Sequence, residues 1–82
     1  MSRLDPSTVF VTIASGGSGD FTDKDNYPKG IDGIYANEEG TVTITDQSGT
    51  SHDFEVVAGA QPPVCGWVNI TATTAEIVVG IG

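Results

Sequence analysis

The chain has 82 residues, with eleven acidic side chains against three lysines and arginines and a formal charge of −8. That length supports one small domain around one core. The acid excess repels phosphate backbones and anionic lipid surfaces, which excludes nucleic acid and membrane as expected partners, and no apolar run approaches the roughly 20 residues that cross a bilayer. A single cysteine, Cys65, permits no intrachain disulfide and fits a reducing cytoplasm. The opening MSRLDPSTVF has no apolar stretch behind a basic one, so no export signal is read there, and the sequon Asn69-Ile70-Thr71 is expected to stay unmodified.

In chain order, residues 1–7 are expected to form an N-terminal arm. Thr8 to Ile13 alternates as a half-buried strand, with Val9, Val11 and Ile13 on one face and Phe10 on the other. Ser15 to Asp32, SGGSGDFTDKDNYPKGID, is the one long irregular stretch, and connections of this kind are functional or mobile. It is expected to be a solvated loop or an arm that reaches a neighbouring subunit. Calcium held by Asp20, Asp23 and Asp25 is the alternative, but their spacing departs from the D-x-[DN]-x-[DN]-G order and Lys24 interrupts it.

The next strand begins near Gly33 with Ile34 and Tyr35. Thr41 to Thr45 and His52 to Val57 then form a hairpin, with Val42, Ile44, Phe54 and Val56 inward and threonines, Asp53 and Glu55 outward. Its turn is DQSG, where Asp46 and Ser48 supply local backbone hydrogen bonds and Gly49 supplies a positive φ. Pro62-Pro63 cannot donate to a central ladder and so separates the hairpin from a strand over Val64 to Ile70. After a small polar turn, TATT, a final strand runs from Ala75 to Ile81. No segment shows helical apolar spacing. The predicted fold is all-β, a small antiparallel β-sandwich or barrel of about six strands forming a single domain over residues 1–82.

The inward set, completed by Val68, Ile70, Ile77 and Val79, makes a small core for a chain without disulfides. Burial against another chain is the usual remaining device for so small a β domain. Phe10, Tyr35, Val57, Trp67 and Val78 have the opposite parity and are the interface candidates, because contiguous exposed apolar groups mark interaction sites. The competing reading is that some of them cover a second face beneath the long loop, or that the strand register slips by one.

Reactive chemistry is scarce. His52 and Asp53 are strand neighbours pointing to opposite faces, Cys65 lies in a strand pattern rather than at a helix start, and one Cys with one His cannot build a zinc site. SGGSGDF lacks the lysine and following helix of a phosphate loop. Neither an enzyme nor a bound cofactor is expected. Trp67 with Tyr35 would suit a sugar-stacking platform, which keeps a small carbohydrate-binding module as an alternative.

The stretch GIYANEEGTVTITDQSGTSHDFEVVAGAQPPVCGWVNITATTAEIVV resembles the head-spike base proteins, small virion proteins of tailed phages and gene transfer agents. The shared features are an aromatic strand at Tyr35, a turn at Gly40, the hairpin around Val42 and Phe54, and Ala58-Gly59 leading to Pro62 or Pro63. Small residues and threonines at Thr71 to Thr74 and the aliphatic Ile77 to Val79 complete the order. The chain departs in its glycine-rich Ser15 to Gly19 and in CGW, which stands where a more basic strand is expected. The resemblance implies a non-enzymatic phage structural protein made in the host cytoplasm. It would attach to the capsid exterior as a decoration or head-spike base, partnered by the major capsid protein, another virion protein and further copies of itself. A tail or baseplate component is the alternative location.

Overall fold

The computed structural model describes residues 9–81; the arm expected over residues 1–7 lies outside them. Among the described residues every regular element is a strand: β1 (Val9–Ile13), β2 (Gly19–Asp20), β3 (Ile31–Ala36), β4 (Gly40–Thr45), β5 (Ser51–Val56), β6 (Asn69–Thr73) and β7 (Ile77–Ile81). They form two sheets, one ordered β1-β7-β3 and the other β2-β6-β4-β5, with every pairing antiparallel. Inward residues of both sheets meet in one core, so the chain is a sandwich rather than a barrel. The count exceeds the predicted six because a short β2 forms inside the glycine-rich stretch and pairs with β6.

Alternation, shifted once in β3 by an irregularity between Ile31 and Gly33, decides which side chains enter the core. In β7 the residues Ile77, Val79 and Ile81 are buried; in β4 they are Val42 and Ile44, and in β3 Ile31, Ile34 and Ala36. Burying such aliphatic chains contributes about 1.5–3 kcal/mol each. The predicted β4–β5 hairpin forms, with Val42 opposite Phe54 and Ile44 opposite His52. Its tip is organised by one carboxylate. Asp46 Oδ1 accepts from Ser48 N (3.0 Å), Ser48 Oγ (2.6 Å) and Thr50 N (3.0 Å), while Gly49 adopts φ 89°.

Two stretches differ from the sequence-based expectation. Ser15 to Asp32 is largely exposed, as a solvated loop would be, but it is anchored on the sandwich: Phe21 is 3% exposed, its N–H donates to the Val68 carbonyl at 3.0 Å, and Tyr27 packs edge-on against it. The expected strand over Val64 to Ile70 is irregular as far as Val68. Gly66 takes φ 87° there, leaving only a bridge to Ile31, and the strand runs over Asn69–Thr73 instead. The residues expected as a turn, Thr71 to Thr73, are thus ladder residues. Of the inward set, Val9 is 51% exposed and Val11 and Phe54 are only partly buried, whereas Phe21, Ile31, Val64, Ala75 and Ile81 join the core.

Gly30 is required by close approach. With φ 69°, it lies where a Cβ would stand against the backbone of Gly66, and the two segments are stitched by Ile31 N to Gly66 O (2.8 Å) and Gly66 N to Ile31 O (2.9 Å).

Candidate interaction surface

The outer face of β1-β7-β3 follows from pairing. Phe10 lies opposite Gly80, which lies opposite Gly33; Thr12 lies opposite Val78, which lies opposite Tyr35. One row therefore has two glycines beside an aromatic ring, and the next carries Thr, Val and Tyr. Side chains on adjacent strands of one face are near neighbours, so Phe10, Val78 and Tyr35 belong to one patch, with a low floor at Gly80 and Gly33.

A wall rises beside β3. The segment after β5 is tied to that strand at both ends, by Gly59 N to Ala36 O (2.8 Å) and Ala36 N to Ala60 O (2.9 Å), and by the Ile31–Gly66 pair. Between these ties Pro62 and Pro63 cannot donate, and the chain departs from the ladder. The result is an open groove of about 620 Å³, with Phe10, Tyr35 and Val78 on the sheet side and Pro62, Pro63 and Cys65 on the wall side. Phe10 is 66% exposed and Tyr35 46%. Large apolar groups left in water on one continuous face are the feature that distinguishes interaction surfaces from ordinary surface.

The other two interface candidates lie elsewhere. Val57 is 61% exposed at the turn that follows β5, closed by Ala60 N to Val57 O at 2.9 Å, and does not line the groove. Trp67 is partly buried against the folded-back loop. Its indole N–H donates to the Tyr27 carbonyl at 2.7 Å, and Lys24 Nζ lies 4.8 Å from the ring centroid. Trp67 is absent from the groove that holds Tyr35, so the two rings do not form one stacking platform there.

The outer face of the second sheet is polar and largely self-satisfied. Thr43 Oγ1 donates to Asp53 Oδ1 at 2.8 Å across the hairpin, and the Thr45 and Ser51 hydroxyls meet at 3.0 Å. At the tip, His52 Nε2 approaches Asp46 Oδ2 at 3.0 Å, with both side chains well exposed. Asp53, the strand neighbour of His52, bonds Thr43 instead, and it is Asp46 from the turn that meets the His52 ring. The Ser48 hydroxyl, the Thr50 N–H and the His52 ring hold the Asp46 carboxyl well below the usual carboxylate range, in that order of weight.

Two carboxylates of the acidic loop, Asp20 and Asp23, accept bonds from within it. Asp20 Oδ1 accepts from Thr22 Oγ1 (2.6 Å) and Thr22 N (3.0 Å), which lowers its pKa, with the hydroxyl the larger cause. Asp23 accepts from Asp25 N (2.9 Å) and Asn26 Nδ2 (2.9 Å). Among the described residues no group of three or more His, Cys, Asp or Glu side chains converges as a metal site would require. Cys65 is exposed on the groove wall, while His52 belongs to β5 in the other sheet.

Comparison of the chain with protein-family models, with curated proteins and with solved structures returned no match.

Proposed function

We propose that this chain is a non-enzymatic structural protein of a phage-like virion, seated on the capsid exterior as a decoration or head-spike base and acting by self-association and docking. The observation that carries the reading is the outer face of β1-β7-β3, where Phe10, Tyr35 and Val78 border a groove of about 620 Å³. The core beneath that face is already filled by the opposite parity of the same strands, so these side chains are not needed to close it. The head-spike base resemblance in element order supplies the setting, and it favours the head over the tail or baseplate. Adhesion of this kind requires complementary shape and a few desolvated aromatic anchors, and Phe10 and Tyr35 are placed to serve as those anchors.

The test is co-sedimentation with capsids assembled from the proposed partner, a major capsid protein of the same genome. The wild-type chain is expected to bind, and Tyr35→Ser to weaken binding by at least about tenfold, a factor that corresponds to one anchor of ~1.4 kcal/mol, with an unchanged thermal melt. Absence of wild-type binding, or binding indifferent to Tyr35→Ser, overturns the proposal.

A further inference from the structure

Among the described residues the open edge of β1 has no counterpart in the sandwich. In the three-stranded sheet, β3 is the other edge, and the Gly59 to Gly66 segment closes it at both ends. In the four-stranded sheet, β2 has only two residues and β5 carries Asp53 and Glu55, the short and charged forms in which natural sheets present their edges. β1 is VFVTI, five residues without charge, glycine or proline. From Val9 to Gly19 the chain has no ionisable side chain, although its formal charge is −8.

The phase of the ladder shows which peptide groups β1 leaves open. Asn37 N donates to Glu76 O at 2.9 Å, while Ala36 turns its peptide group away from β7 to Ala60. Alternation through the antiparallel sheet then directs Val9, Val11 and Ile13 to β7 and leaves the N–H and C=O of Phe10 and Thr12 facing outward. Beside this edge lies an opening of about 360 Å³ between Val11 to Ile13 and the segment holding Gly19, Phe21 and Tyr27, so the folded-back loop does not fill the space. Val9 and Phe10 point to opposite faces, yet they are 51% and 66% exposed. Among the described residues β1 pairs with β7 alone.

We infer that β1 pairs antiparallel with β1 of a second copy about a two-fold axis at Val11, joining the two three-stranded sheets into one of six strands. Phe10 of each copy exchanges backbone hydrogen bonds with Thr12 of the other, Val11 faces Val11, and Val9 faces Ile13. A second copy fits better than a cationic partner, which would be drawn to the acidic β5 edge. Two chains of charge −8 meet with least repulsion where neither is charged. The pairing supplies the self-association in the proposed function and rests on that part of it. It uses the edge of the sheet and leaves the groove beside Tyr35 free for docking.

The isolated full chain, without any virion protein, tests this by light scattering after size exclusion. The expected mass is twice the 8.5 kDa of one chain. Thr12→Lys, which places a charge on an edge strand, is expected to raise the dissociation constant by at least about tenfold, and Tyr35→Ser to leave it unchanged. In a Cys65→Ser background, Val11→Cys is expected to cross-link copies under mild oxidation, because opposed residues in a non-hydrogen-bonded pair lie about 4.5 Å apart, within the range of a disulfide. Val9→Cys, facing Ile13 instead of itself, is expected not to cross-link. A monomeric wild-type chain, a dimer untouched by Thr12→Lys, or cross-linking through position 9 in place of 11 overturns the inference. Loss of capsid binding alongside an intact dimer would strike the docking proposal and leave this one standing.

Discussion

The two outer faces of the sandwich are both built from antiparallel strands, yet they behave as opposites. On β4 and β5 the outward residues are threonines, Ser51, Asp53 and Glu55, and the pairs Thr43–Asp53 and Thr45–Ser51 satisfy each other across the strands. On β1, β7 and β3 the outward residues are Phe10, Thr12, Val78 and Tyr35 around glycines, with Asp32 and Gln61 as polar groups bordering the same groove. A face whose hydrogen bonds are already made gains little from a partner, whereas an apolar face gains whatever area the partner removes from water. Composition alone blurs this contrast, since hydrophobic residues amount to 38% of the chain as a whole. Strand parity is what sorts them.

The sharpest way to break the comparison is to substitute neighbours of opposite parity on one strand. Ile77→Ala, deleting a fully buried side chain, is expected to cost about 2–5 kcal/mol in chemical denaturation. Val78→Ala beside it is expected to cost less than about 1 kcal/mol and to act on association instead. Equal losses at the two positions would mean that the outer face is itself core. Gly30→Ala attacks the wall that makes the apolar face a groove, because it combines a positive φ with contact against Gly66; about 1–3 kcal/mol of destabilisation by thermal melting is expected.

On the polar face, Thr43→Ala removes the hydroxyl that Asp53 accepts from and is expected to cost about 0.5–1 kcal/mol, measured by urea unfolding, with no change in oligomeric state. The smallest effect concerns acid. The Asp46 carboxyl is held below its ordinary range in the folded turn, so its contribution is complete above the unfolded value, near pH 4, and is lost as pH falls through the lower folded value. Protection of the Ser48 and Thr50 amides, measured relative to their intrinsic exchange rates, should therefore fall below about pH 4 in the wild type and lose that dependence in Asp46→Asn.

What the sequence made legible follows the same logic. β1, the β4–β5 hairpin and β7 could be read because alternation extends over five or six residues and turn chemistry bounds it. Phe10, Tyr35 and Val78 emerged as one outer set for the same reason. Trp67 did not separate from them because its partners, Lys24 and the Tyr27 carbonyl, come from a loop with no periodicity to place it. Phe21 was missed as core for an equivalent reason: a lone aromatic among glycines and aspartates carries no pattern, and only the Val68 carbonyl it bonds shows where it goes. β6 was displaced toward the N-terminus because Val64 and Val68 are buried without being ladder residues, while the threonines that read as a turn are β-branched and suit a strand.

The position of β7 has a kinetic consequence. It is the last of these strands to be synthesised, yet it lies between β1 and β3, which touch each other nowhere in the ladder. While a ribosome still holds Ile77 to Ile81, half of the sandwich has no centre, and β1 waits with its bare valines and phenylalanine. Closure must bring Ile77–Ile81 back to Val9–Ile13 across the five strands between them, a slow event whose delay exposes those groups to other nascent chains.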